Sequence, residues 1–155
     1  MSHMKIGVLG SGQVGQRLAS GFIKHGHEVM IGTRDPAKLT DWQAEAGDRA
    51  HVGTPAETAG FGEVLVLAVP GRAAEDVVRS LGAPAMAGKI VIDATNPISE
   101  RAPENGVLGY FTDLNESLME RLQKAVPEAR FVKAFNSVGN AFMVNPQFPG
   151  GTPTS

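Results

Sequence analysis

The chain has 155 residues, of which 42% are hydrophobic and 19% charged, and its formal net charge is −2. These values fit one soluble globular domain, and they argue against a nucleic-acid-binding surface and against a basic patch for anionic membranes. No stretch is apolar for long enough to span a bilayer, no signal peptide is visible and there are no cysteines. The sequence therefore predicts a cytoplasmic protein without disulfides. Residues 1–3 resemble a cloning scar before Met4.

The first predicted elements are a strand, a glycine-rich turn and a helix. A short apolar run begins at Lys5 and breaks into Gly10-Ser11-Gly12-Gln13-Val14-Gly15, after which Val14, Leu18 and Phe22 recur with helical spacing. In a parallel sheet the first glycine allows a tight turn, the second leaves room for a pyrophosphate, and the third lets the helix pack on the strand. The diphosphate then lies over the free N–H groups of that helix. This context favours a dinucleotide site over a purely structural glycine turn.

Strands and helices alternate along the rest of the chain. Further strands are predicted at 28–31, 50–52, 63–69, 89–93 and 130–134, and helices at 36–46, from residue 55 onward, at 73–81 and at 113–125. Asp35 and the Thr54-Pro55-Ala56-Glu57 capping box mark two of the helix starts. The alternation predicts an α/β fold, a doubly wound parallel Rossmann sheet in three αβα layers. Its expected strand order is 3-2-1-4-5-6, with the ligand crevice between strands 1 and 4.

The end of the second strand bears on which cofactor is bound. Gly32-Thr33-Arg34 stand where an NAD enzyme places an acid on the ribose 2′-hydroxyl. A carboxylate would repel a 2′-phosphate, whereas a hydroxyl and a guanidinium attract it, and Lys38 could add a second cation. The pattern favours NADP over NAD. Two alternatives stay open: Asp35 would enter the pocket if the strand ended one residue later, and Arg34 with Lys38 could be a solvated helix face.

The other polar candidates admit ordinary structural roles. Asp93 is expected to organise the Thr95-Asn96-Pro97 turn rather than act as a base, and Trp42 to pack on its helix rather than stack on adenine. Asn96 and Asn136 follow strands 5 and 6, so they admit both a turn role and a place in the crevice. Three histidines lack companions at metal-ligand spacing, and no metal site is predicted: His25, His27 and His51.

Five motifs together carry a family resemblance. They are KIGVLGSGQVG at 5–15, IGTR at 31–34 with Lys38, LAVP at 67–70, DATNP at 93–97 and KAFNSVG at 133–139. In combination they resemble the NADPH-dependent coenzyme F420 reductase family. The resemblance covers nearly the whole chain from Met4. That family includes bacterial relatives of unsettled substrate, and it is similar to the reductase domain of the metal-reducing membrane proteins of vertebrates.

The resemblance implies an oxidoreductase that binds NADP(H) and passes hydride to coenzyme F420 or a flavin-like acceptor. No acid or base is expected to stand out, because the two cofactors carry the reaction and the protein orients them. Asn136 is implied as a contact to the second substrate. The implied cofactor-binding residues are Gly10, Ser11, Gly12, Gln13, Val14, Gly15, Thr33, Arg34, Lys38, Ala68, Val69, Pro70, Asn96 and Ala134.

The chain departs from the family at its C-terminal end. Family members continue beyond a Gly-Gly-x-Pro-Thr stretch into a further strand, helix and strand, whereas this chain ends at Ser155. We therefore expect an NADP-binding Rossmann domain at 4–146 and a Pro/Gly-rich tail at 147–155 that leads into an absent C-terminal part. A reductase of small imines or carbonyl acids, which would need a proton donor from such a part, and a non-catalytic NADP-binding module stay open as alternatives. The assembly state is also open, with a homodimer as the candidate.

Overall fold

Six strands form one parallel sheet in a computed structural model that describes residues 3–99, 102, 104–107, 109–112, 116–146 and 150. The strand order is β3-β2-β1-β4-β5-β6, which confirms the predicted doubly wound topology. The strands are β1 Lys5–Leu9, β2 Glu28–Gly32, β3 Ala50–Gly53, β4 Val64–Leu67, β5 Ile90–Asp93 and β6 Arg130–Lys133. The helices are α1 Gln13–Lys24, α2 Thr40–Ala46, α3 Pro55–Phe61, α4 Gly71–Leu81, α5 Ala83–Met86 and α6 Leu118–Ala125.

Helices cover both faces of the sheet, because the central strands are apolar on both sides. Leu65 and Leu67 of β4 are fully buried in one hydrophobic cluster, with side chains from α3, α4, α5 and α6. Val66, between them, is fully buried in a second cluster, with side chains from α1 and α2. Alternate residues of a strand point to opposite faces, so this single strand contributes to both layers of the core. None of the helices within the described ranges is both long and apolar enough to cross a membrane.

Side-chain caps explain where two helices begin. The predicted capping box at α3 is confirmed: the Thr54 hydroxyl accepts from the Glu57 N–H at 3.1 Å, and the Glu57 carboxylate accepts from the Thr54 N–H at 3.0 Å. The helix predicted from residue 113 starts later, since α6 begins at Leu118 with a second capping box between Ser117 and Glu120. Residues 113–115 lie outside the described residues. The Ser-x-x-Glu spacing is the signal that fixes this start.

The helix expected directly after Asp35 begins differently. A 3₁₀ turn occupies Pro36–Leu39 before α2 starts at Thr40, and the Asp35 side chain makes no capping hydrogen bond. The Thr33 hydroxyl instead accepts from the Asp35 N–H at 3.1 Å. The turn that follows β2 is therefore organised by Thr33, which is itself buried.

The segment after β6 returns across α1. A second 3₁₀ turn covers Asn140–Phe142, and the Asn140 amide donates to the Gln13 side chain at 2.9 Å. A Cβ placed on Gly21 would lie 2.5 Å from a methyl group of Val144, so this side of the helix must stay bare there. The predicted tail at 147–155 lies outside the described residues except for Gly150.

Candidate dinucleotide-binding site

A cavity of about 580 Å³ opens at the carboxyl ends of β1, β2 and β4. This is the crevice predicted between the first and fourth strands, and its volume suits a small-molecule ligand. Nine of the predicted cofactor-binding residues line it: Gly10, Ser11, Gly12, Thr33, Arg34, Lys38, Ala68, Val69 and Pro70.

The three motif glycines differ in what a side chain would meet there. Gly10 has φ +130°, which an L side chain rarely adopts, and a Cβ there would lie 2.6 Å from the Ala68 carbonyl oxygen. A Cβ on Gly15 would lie 2.1 Å from the Gly10 carbonyl oxygen. Gly12, by contrast, has an ordinary extended conformation, and a Cβ there would meet no atom of the described residues within 4 Å. Neither the backbone conformation nor the packing requires a glycine at position 12. The open space beside Gly12 fits a bound pyrophosphate.

The start of α1 offers donors for the same group. No side chain caps this helix at Gly12, and the first N–H groups of a helix lack acceptors within it. The positive end of the helix dipole adds to their attraction for anions. The remaining motif side chains are engaged elsewhere: Gln13 accepts from Asn140, and Val14 packs against the core cluster beneath α1. Three predicted cofactor-binding residues of the motif do not line the cavity: Gln13, Val14 and Gly15.

Two cations line the end of the cavity beside β2. Arg34 and Lys38 are exposed, and neither forms an ion pair or a side-chain hydrogen bond with any other residue in the described part of the chain. The Thr33 hydroxyl lies 3.3 Å from the Ser11 hydroxyl, which links the turn after β2 to the glycine turn. The carboxylates of Asp35 and Asp76 are exposed and also belong to residues of the cavity lining.

The predicted site residues that follow β4, β5 and β6 divide into two groups. Ala68, Val69 and Pro70 line the cavity. Asn96, Ala134 and Asn136 do not, because they follow β5 and β6, further along the same edge of the sheet. The structure does bring Asn96 and Asn136 together, since the Asn96 amide donates to the Asn136 carbonyl at 3.1 Å.

Asp93 has the turn-forming role that the sequence predicts. Its carboxylate is fully buried and accepts from the Thr95 N–H at 2.9 Å and from the Thr95 hydroxyl at 2.6 Å. Sequence reasoning missed its third partner, the Lys133 ammonium, whose nitrogen lies 3.1 Å from the other carboxylate oxygen. These two residues are direct neighbours in the pairing of β5 with β6. Aligning the two predicted strands side by side could therefore have revealed this contact.

The remaining candidates are structural. Trp42 is only 8% exposed and its indole N–H donates to the Ser20 hydroxyl at 2.9 Å, which confirms its packing role. A ring nitrogen of His51 lies 2.7 Å from the Glu28 carboxylate, and His27 accepts from the Met4 N–H at 3.2 Å. Within the described ranges, no three or more histidine and acidic side chains converge as metal ligands would.

The sheet order, the glycine turn and the cavity at its carboxyl edge define a dinucleotide-binding protein of the Rossmann class. More specifically, the chain belongs to the family described as NADP oxidoreductase, coenzyme F420-dependent, whose model matches residues 5–97. It is accordingly an NADP-dependent oxidoreductase.

Individual relatives agree with this assignment. The F420-dependent NADP reductase of Methanothermobacter marburgensis is 34% identical over 152 residues, covering 92% of this chain and 67% of that protein. A crystal structure from Arthrobacter sp. FB24, of a protein proposed to be an F420-dependent NADP reductase, matches with a TM-score of 0.86 at 36% identity, over 96% of this chain and 69% of the other. Metalloreductase STEAP3 of Rattus norvegicus is 30% identical over 134 residues, which are 86% of this chain and 25% of that protein. The chain thus spans about two thirds of the two reductases.

Proposed function

We propose that the protein transfers hydride between NADPH and a deazaflavin of the coenzyme F420 type, or a flavin-like acceptor. The observation that carries the nucleotide half of this proposal is the open space above Gly12 in an otherwise tightly packed glycine turn. The acceptor half is supported by the likeness to proteins named as F420-dependent NADP reductases. Bound NADPH would supply the hydride, and the acceptor would take it together with a proton from solvent.

Different residues of the cavity are proposed to bind different parts of the cofactor. The N–H groups at the start of α1 are proposed to hold the diphosphate. Thr33, Arg34 and Lys38 are proposed to hold the 2′-phosphate, because two cations that pair with none of the described residues stand beside a buried hydroxyl. The apolar turn at 68–70 forms the opposite side of the cavity, where it would exclude water from the nicotinamide.

Rapid mixing of the protein with NADPH and oxidised coenzyme F420 tests the reaction. We expect the deazaflavin absorbance to bleach at a rate proportional to protein concentration, and the Gly12→Val variant to show no bleaching. Quenching of Trp42 fluorescence by NADPH reports binding in the same samples. Binding without bleaching of F420 or of a free flavin would contradict the proposed transfer. Absence of NADPH binding would contradict the nucleotide site as well.

An NADP-binding module without transfer activity is the second candidate function. It is favoured by the position of Asn96, Ala134 and Asn136, which the resemblance places in the crevice but which lie outside the cavity. The same assay separates the two candidates, because the module would bind NADPH and leave every acceptor oxidised.

A further inference from the structure

A buried ion pair ties together the carboxyl ends of β5 and β6. Asp93 is 0% exposed, and both of its carboxylate oxygens are hydrogen-bonded, to Thr95 on one side and to the Lys133 ammonium on the other. Lys133 retains 27% of its side-chain exposure and also donates to the Thr95 carbonyl. Taking two charges out of water is costly, and a pair of this kind contributes little net stability compared with apolar packing. Fold stability is therefore a weak explanation for it.

The pair determines the path of the chain that leaves β5. Thr95 is held through its N–H, its hydroxyl and its carbonyl, so the next residue, Asn96, emerges in one direction. Its amide then donates to the Asn136 carbonyl at 3.1 Å. Phe135, between Lys133 and Asn136, has φ +65°, a left-handed conformation that is strained for an aromatic residue. Such strain persists where the surroundings over-determine the backbone, and it clusters at functional sites.

The exit of β5 packs against the residue that follows the cavity-lining turn at 68–70. A Cβ on Gly71 would lie 1.9 Å from the Asn96 carbonyl oxygen, so the backbone of the β5 exit packs directly against the start of α4. Gly71 follows Pro70, which lines the cavity. A continuous chain of contacts therefore runs from Lys133 through Thr95 and Asn96 to the turn at 68–70.

We propose that Lys133 is a positioning residue. Through Asp93 and the β5 exit it fixes the wall that holds the nicotinamide end of the dinucleotide, and it has no part in binding the adenosine end. This inference rests on the proposed function, since it requires NADP(H) in the cavity described above. The nicotinamide end and the adenosine end would then be held by separate parts of the structure. Their contributions to affinity can therefore be measured separately.

The test compares two ligands, NADPH and 2′,5′-ADP, which carries the adenosine and the 2′-phosphate but no nicotinamide. In the Lys133→Met variant we expect the Kd of NADPH to rise on the order of tenfold, as for loss of a charge-supported contact, while that of 2′,5′-ADP stays within about twofold. The fluorescence of bound NADPH, which arises from the nicotinamide, should shift as well. Lys133→Arg should recover most of the NADPH affinity. The control is Arg130→Met, which removes an exposed cation from the other end of β6.

Lys133→Met leaves the Asp93 carboxylate buried without its counter-charge, and this can prevent folding. Two further variants keep the test decisive: Asp93→Asn combined with Lys133→Met, which leaves no buried charge, and Asn96→Ala, which removes only a partly exposed amide. Both variants should bind NADPH more weakly and leave the affinity for 2′,5′-ADP unchanged.

The outcomes are distinguishable. If 2′,5′-ADP does not bind the unmodified protein, the proposed function fails and the inference fails with it. If 2′,5′-ADP binds and the folded variants bind NADPH as tightly as the unmodified protein, the inference is overturned while the proposed function stands. Parallel losses for both ligands would show a merely structural ion pair and would also overturn the inference.

Discussion

The two ends of the proposed cofactor site are built in opposite ways. At the glycine turn the site depends on atoms that are absent: Gly10 and Gly15 let two backbone segments touch, and Gly12 leaves space for a ligand. At the exits of β5 and β6 it depends on side chains that are present, namely the Asp93–Lys133 pair and the Asn96 amide. Adding atoms should damage the first region, whereas removing atoms should damage the second.

The largest expected effect comes from adding one methyl group to the glycine turn. Gly15→Ala would put a Cβ 2.1 Å from a backbone oxygen, a contact that no side-chain movement relieves. We expect a loss of about 3 kcal/mol in the free energy of unfolding, measured by urea denaturation. Gly60→Ala is the matched control, since its Cβ would meet nothing within 4 Å on α3, and it should be neutral or stabilising. Equal stability of the two variants would contradict the packing role of Gly15.

Gly12→Val should separate binding from folding. We expect NADPH to bind about 100-fold more weakly, because the new side chain occupies the space assigned to the pyrophosphate. Stability should change by no more than about 1 kcal/mol, the cost of a poorer helix N-cap. Fluorescence titration and a thermal melt of the same sample measure the two effects. Retained binding would mean that the glycine turn does not hold the cofactor.

Arg34→Ala should change cofactor preference. We expect roughly a 10- to 100-fold loss for NADPH, the range for a charge-assisted hydrogen bond, and little change for NADH. Titration with both cofactors measures the difference. Arg49→Ala, which removes an exposed cation before β3, should affect neither. Similar losses for NADPH and NADH in the Arg34 variant would refute 2′-phosphate recognition.

The smallest effect is expected at a surface ion pair near α6, a useful contrast to the buried Asp93–Lys133 pair. A hydrogen bond from Lys124, with Arg121 nearby, lowers the pKa of the Glu116 carboxyl below its usual value. A carboxyl whose pKa falls on folding stabilises the protein above its unfolded-state pKa, and that stabilisation is lost as the pH drops through the folded-state pKa.

The Glu116→Gln variant should therefore melt slightly below the unmodified protein near neutral pH, and the gap should close in acid and in high salt. Calorimetry at several pH values measures it. A decrease in melting temperature as large as that caused by removing the Asp93–Lys133 pair would contradict the distinction between the surface pair and the buried pair.

The sequence reveals the glycine turn more readily than the contacts at the exits of β5 and β6. The glycine turn, the six strands and the cations at Arg34 and Lys38 were predictable because their signals lie within a few consecutive residues. The Asp93–Lys133 pair joins residues 40 positions apart, so it emerges only when two strands are aligned in register. The predicted start of α6 at residue 113 is wrong, because the prediction follows the helical spacing of the apolar residues. The capping box at Ser117 marks the observed start. Asn96, Ala134 and Asn136 follow the right strands, but the cavity ends before reaching them.

The return of the chain across α1 has a consequence for how the domain is completed during synthesis. The bond between Asn140 and Gln13 spans 127 positions, and a contact between Asn145 and His25 spans 120, so one end of the domain secures the other. Contacts this distant in sequence close late, after the intervening strands are in place. The first helix, which follows the glycine turn, should thus gain this outer support only after residues 140–145 have been synthesised.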